Sequence, residues 1–129
     1  MKQNILFVCV ENSNRSQMAQ AFAIIHGNQK VNSFSAGSAP SGEINPKAIK
    51  AMKELNYDLS KHESKSLQQI PDILYDHVIT MGCGDACPFV KAVHRDDWEI
   101  PQPKDMNEEE FRKVRDSIKE YCKEFAKNN

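Results

Sequence analysis

Four consecutive apolar residues, Ile5-Leu6-Phe7-Val8, run directly into a polar stretch that begins at Cys9, and a helical pattern opens at Ser16. A strand that is apolar on both sides has to be covered on both faces, as strands of a parallel sheet are. Such a strand followed by a loop and a helix is the first half of a β-α-β unit. Everything downstream has to accommodate that start.

The rest of the chain continues the alternation. After Ser16, Met18, Ala19, Phe22, Ala23 and Ile25 recur at helix spacing, and Gly27 marks a stop. Residues 31–35 read as a second strand closed by Ala36-Gly37. Asn45-Pro46 is a helix start, with Asn as cap and Pro at the first helical position. Ala48, Met52 and Leu55 then form an apolar stripe with Ile49 on its flank. Residues 76–80 read as a third strand, and residues 90–98 contain a fourth.

A long amphipathic helix spans residues 108–126, with Phe111, Val114, Ile118, Tyr121, Cys122 and Phe125 expected inside. The acids of Asn107-Glu108-Glu109-Glu110 suit its N-terminus. His77 is expected near the sheet edge, and His26 and His62 at the surface or as caps. No repeat or linker divides the chain, so residues 1–129 are expected to form a single α/β domain around a mainly parallel sheet. Ligands of such sheets bind beyond the carboxyl ends of the strands. The loop from Cys9 and the loop 82–88 both leave such ends and should face one another.

Composition excludes several classes. The formal net charge of −1 offers no basic field for a nucleic acid. No apolar run is long enough to cross a bilayer. Met1-Lys2-Gln3-Asn4 lacks the apolar core of a secretory signal, so a cytoplasmic chain is expected, and a monomer because the few surface apolar residues form no stripe. In a reducing compartment, disulfides among the four cysteines would be transient and catalytic.

The chemistry concentrates in Cys9-Val10-Glu11-Asn12-Ser13-Asn14-Arg15-Ser16. A loop curling into a helix N-terminus points several backbone N–H groups at one spot, where the helix dipole adds positive potential. Such donors suit a tetrahedral oxyanion and also stabilise a thiolate at Cys9. Arg15 can grip two anion oxygens through its planar fork. Ser13 and Ser16 supply hydroxyls to hold the thiolate or orient the loop. Cys83 and Cys87 share a Gly-containing loop, and Gly82 and Gly84 leave its backbone free to rearrange. No second cysteine pair accompanies them and His94 is the one histidine nearby, so no metal site is expected. Cys122 lies on a helical apolar stripe and is expected in the core.

The loop resembles the signature of the low-molecular-weight protein tyrosine phosphatase family and of its thioredoxin-coupled arsenate reductase branch. Arg15-Ser16-Gln17-Met18-Ala19, Ser35-Ala36-Gly37, Asn45-Pro46-Lys47-Ala48, Asp58-Leu59-Ser60 and Phe111-Arg112-Lys113-Val114-Arg115-Asp116 resemble reductase segments in the same order. The resemblance implies a four-stranded parallel sheet with helices on both faces. It also implies an arsenate reductase in which Cys9 forms a covalent arsenic adduct, with Arg15 and Ser16 assisting. Cys83 and Cys87 would then carry a thiol–disulfide relay to an external dithiol such as thioredoxin, with no bound cofactor. The alternatives are a phosphotyrosine phosphatase and an oxyanion or phospho-ligand sensor without turnover.

Two positions depart from the pattern of that family. Gln102 stands where a proton-donating Asp is usual, with Asp105 close by in sequence. Glutamine cannot donate a proton, which weighs most against a tyrosine leaving group. Some relatives hold a potassium ion behind the loop. Asn12 and Ser35 match that site, Gln20 replaces an acid, and the Lys65 ammonium is expected in place of the cation.

Overall fold

A computed structural model describes residues 2–27, 30–82 and 90–127, together with the backbone of Asn128. Strands β1 (Gln3–Cys9), β2 (Val31–Gly37), β3 (Tyr75–Thr80) and β4 (Ala92–Asp97) form one sheet in the order β2-β1-β3-β4, and every pair is parallel. Leu6 lies opposite Phe34 on one side and Val78 on the other, and Cys9 lies opposite Gly37. The strand order reverses beside β1, so the crevice that such a reversal opens lies at the carboxyl ends of β1 and β3. The Met81 N–H, just past β3, donates to the Val8 carbonyl at 2.9 Å, which seats the exit of β3 beside Cys9.

Alternation along β1 divides the core in two, as a strand buried on both sides requires. Ile5, Phe7 and Cys9 face helices α1 (Arg15–His26), α2 (Pro46–Lys53) and α3 (Glu108–Asn128), where Met18, Phe22, Met52, Phe111 and Ile118 are buried. Leu6 and Val8 face the opposite way, packed with Leu67, Tyr75, Val78 and Val90. On that second face the described cover is the non-helical stretch through Leu67 and Ile70, and the adjoining residues 83–89 lie outside the described residues. Helices therefore meet the expectation on the first face.

The starts of the elements have local causes. The Asn45 side chain accepts from the Lys47 N–H at 2.9 Å with Pro46 at the first helical position. Asn107 Oδ1 accepts from the Glu110 N–H at 2.8 Å, and its amide reaches back to the Glu110 carboxylate at 3.2 Å, a reciprocal cap on α3.

Three expectations are corrected. Ile25 and Tyr121 are 41% and 40% exposed. Tyr121 lies across the Trp98 indole, stacked at 4.9 Å, so it covers the core from outside. His77 sits on β3, an inner strand, and stacks on His94 of β4 at 5.1 Å. No helix among the described residues is long and apolar enough to cross a membrane.

Candidate functional site

Cys9 ends β1, 2% exposed, with its Sγ 2.9 Å from Ser16 Oγ in the first turn of α1. That hydroxyl already accepts from Asn12 Nδ2 at 2.8 Å, which leaves its own proton for the sulfur. Asn12 adopts φ +50°, the left-handed region, and is fully buried. Its conformation is held from outside the loop. The Gln17 amide donates to the Asn12 carbonyl at 3.1 Å and to Asn12 Oδ1 at 2.8 Å, and the Lys65 backbone N–H reaches Oδ1 at 2.7 Å.

The loop carbonyls are engaged from without. Ala39, Ser41 and Asn45 N–H groups donate to the carbonyls of Val10, Glu11 and Ser13 at 2.9, 3.0 and 3.2 Å. Ser13 Oγ donates to the Glu43 carbonyl at 3.0 Å. A loop with its carbonyls turned outward presents the N–H edge inward. The cap residue of α1, Asn14, makes no side-chain cap bond, so the first-turn amides are free of that competitor. Gly37 makes the tight ring possible, because a Cβ there would stand 2.4 Å from the Val10 carbonyl oxygen and 2.9 Å from the Asn12 nitrogen.

Arg15 is buried, and its Nη1 donates to the carbonyls of Met81 and, at 2.9 Å, Ile100. Both hydrogens of that nitrogen are thereby used on the exits of β3 and β4. Nε is buried with no partner among the described residues, as is Asn14 Oδ1. An unpaired charged donor inside a protein is costly unless an anion meets it. Gly82, at φ +83°, lets the chain pass over the guanidinium, since its Cβ would lie 3.3 Å from Nη1. The Gly82 N–H is fixed by Asp97 Oδ1 at 3.1 Å, and Asp97 also takes the Thr80 hydroxyl.

Behind the loop runs a network that the chain's local patterns do not announce. His62 Nδ1 lies 3.0 Å from Gln17 Oε1, and Nε2 lies 2.6 Å from the Tyr57 hydroxyl. Gln17 Oε1 only accepts, so Nδ1 carries the proton and Nε2 accepts from Tyr57. Burial first, then Lys61 and Lys65, pull the imidazole down to about 4, so it is neutral near pH 7. Gln17 Nε2 also donates to the Glu63 carbonyl at 2.9 Å. His62 is thus a capping residue, as expected, and a support of the loop, which was not. The donors facing Asn12 are the Gln17 amide and the Lys65 backbone, in place of the expected Lys65 ammonium. Ser35 Oγ instead donates to Gln20 Oε1 at 2.6 Å, a pairing of two neutral groups.

Gln102 stands over the loop, with its Oε1 3.4 Å from Asn14 Nδ2. Asp105 lines a cleft of about 340 Å³ beside Ser13 and Asn14, and Lys104 bridges that cleft to Glu11 at 3.3 Å. Cys83 and Cys87 lie outside the described residues. Cys122 is buried in the core as expected; burial pushes its thiol up, and it donates to the Ala19 carbonyl at 3.6 Å. Among the described residues no three metal-binding side chains gather.

The family described as low molecular weight phosphotyrosine protein phosphatase matches residues 4–128. The chain is 41% identical to arsenate reductase 1 of Staphylococcus epidermidis, covering 97% of this chain and 96% of that one. A solved arsenate reductase in the phosphate binding state superposes with a TM-score of 0.88 at 33% identity, covering 98% of each chain. A thioredoxin-dependent arsenate reductase from Corynebacterium glutamicum superposes with a TM-score of 0.75 at 31% identity, covering 99% of this chain and 64% of that one.

Proposed function

This chain belongs to the low-molecular-weight phosphotyrosine protein phosphatase family, and from that footing we propose that its reaction is the thiol-dependent reduction of arsenate to arsenite. The observation that carries the site assignment is the pairing of Cys9 Sγ with Ser16 Oγ beside a buried Arg15 Nε that has no partner among the described residues. An oxyanion in the loop would satisfy that donor and meet the inward amides of residues 10–15. The Ser16 hydroxyl would steady Cys9 as a thiolate.

The Cys9 thiolate attacks arsenate, and one arsenate oxygen leaves as water on arsenate's own protons. Cys83 then attacks Cys9 Sγ, and the electron pair of the sulfur–arsenic bond passes to arsenic, reducing it by two electrons and releasing arsenite. Cys87 attacks Cys83, freeing Cys9 and leaving a Cys83–Cys87 disulfide. An external dithiol of the thioredoxin type reduces that bridge by exchange.

Two observations favour this reading over phosphotyrosine hydrolysis. Gln102 cannot protonate a tyrosine leaving group. The cleft beside the loop, formed by residues such as Glu11, Ser41, Glu43, Pro46 and Asp105, has no aromatic lining among the described residues, so a phenyl ring finds no stacking surface.

The test is arsenate-dependent NADPH oxidation with thioredoxin and its reductase. Wild type should turn over, and Cys87→Ser should stall after one cycle with Cys9 bonded to Cys83. Sustained aryl-phosphate hydrolysis that survives Cys83→Ser, with no arsenate turnover, would establish the phosphatase instead. Tight phosphate binding without either turnover would leave a sensor.

A further inference from the structure

At the end of the sheet opposite the anion loop, the structure holds a cavity of about 430 Å³ that the proposed reaction does not use. It is lined by Gln3 and Lys30 at the starts of β1 and β2, and by His26 and Gly27 at the end of α1. Cys9 lies six residue steps along β1 from Gln3, about 20 Å at the usual rise. The size falls within the ~300–1,000 Å³ of small-molecule sites.

The walls and the mouth differ in chemistry. Phe7, Ala23, Trp98 and Phe125 form the walls, and Phe7 and Trp98 already meet at a tilt of 53° with ring centres 5.8 Å apart. A further ring entering there would find both faces and edges to pack against. The mouth is cationic. Lys30 has its backbone pinned on both sides, donating to Gly27 and accepting from Gln3 at 2.8 and 3.0 Å, which fixes the root of its side chain at the opening. Its ammonium makes no ion pair among the described residues. Lys119 and Lys123 of α3 also act on His26 electrostatically, offset by Glu120, which pairs with Lys123 at 3.8 Å. His26 itself stacks on Phe22, which holds its ring at the edge.

We propose that this cavity is a second ligand site, built for a small monocarboxylate with an aromatic body. Its ring packs on the cavity side of the touching Phe7, Trp98 and Phe125 side chains, and its carboxylate meets Lys30 beside His26. The assignment is independent of the reaction at Cys9.

Trp98 is the one tryptophan of the chain, so it reports occupancy directly. Phenylacetate is titrated into the intact protein while Trp98 fluorescence and the His26 imidazole resonances are followed, with 2-phenylethanol as the neutral counterpart. Phenylacetate should give a saturable change and should raise the His26 titration midpoint, because a nearby anion favours the charged imidazole. Lys30→Met should weaken it by about fivefold, the scale of one exposed ion pair. Ala126→Phe, at an exposed wall position, should abolish it by filling the cavity while melting like wild type. Should Ala126→Phe melt lower, Lys30→Met alone decides. Absence of a saturable change overturns the proposal. Equal affinity for phenylethanol, or competition by inorganic phosphate at the Cys9 loop, overturns it as well.

Discussion

His62 is neutral because it is buried, and its neutrality is what lets one ring nitrogen donate to Gln17 while the other accepts from Tyr57. The consequence for stability has a definite sign. The unfolded chain takes up this proton near 6.5, whereas the folded one resists until about 4. Stability is therefore full above 6.5 and drains as pH falls from 6.5 towards 4. The melting temperature of wild type should fall across that window, and His62→Gln should fall less steeply. Equal slopes would remove His62 from the account. His26 and His77 are lowered too, chiefly by burial, so the variant comparison carries the result. Glu54 acts lower on the scale: hydrogen bonds from Arg112 and Arg115 hold it at about 2, so its contribution is full above 4.5 and is lost as pH falls from 4.5 towards 2.

Arg15 illustrates why charge alone does not specify a site. One nitrogen is committed to the Met81 and Ile100 carbonyls while Nε has no partner among the described residues and in the proposed reaction meets the oxyanion, a division of labour that a lysine cannot reproduce. Arg15→Lys should lower arsenate kcat/KM by about 100-fold or more, the scale of losing a preorganised donor. Steady-state kinetics check it, and a loss under tenfold would contradict the role.

Among elements, the anion loop depends most on a strand it does not belong to. Gly37 ends β2 and lies against the Val10 and Asn12 backbones so closely that a methyl group has no room. Gly37→Ala should cost about 1–3 kcal/mol through forced displacement of the loop, and should weaken phosphate binding along with it. Calorimetry with and without phosphate measures both. Unaltered phosphate affinity would mean that the loop closes without β2. By contrast Asn45 is a local device, and Asn45→Ala should cost about 1 kcal/mol of stability with catalysis intact. Chemical denaturation combined with turnover separates the two classes.

Across the whole molecule, α3 closes the core over Phe7 and Trp98 and locks α2 through Arg115, which donates to the Ala51 carbonyl at 2.9 Å and to Glu54. Ile118 is fully buried at the centre of that contact. Ile118→Ala should cost about 2–5 kcal/mol, and urea denaturation is the check.

The strand–loop–helix, the cap at Asn45 and the grouping of Cys9, Arg15 and Ser16 were legible because each lies within one short span of chain. The alternation of β1 and the period of α1 are local consequences of residue type. Gln17, His62 and Tyr57 were not legible as a unit, since 45 positions separate Gln17 from His62 and each residue alone looks ordinary. Which nitrogen of Arg15 remains free depends on carbonyls 66 and 85 positions away, brought beside it by the order β2-β1-β3-β4. The sequence by itself determined where an oxyanion cradle could form, because backbone geometry there follows from neighbouring residues. Only the tertiary structure decided which donors the cradle keeps for a ligand, because hydrogen bonds are allotted by proximity in space.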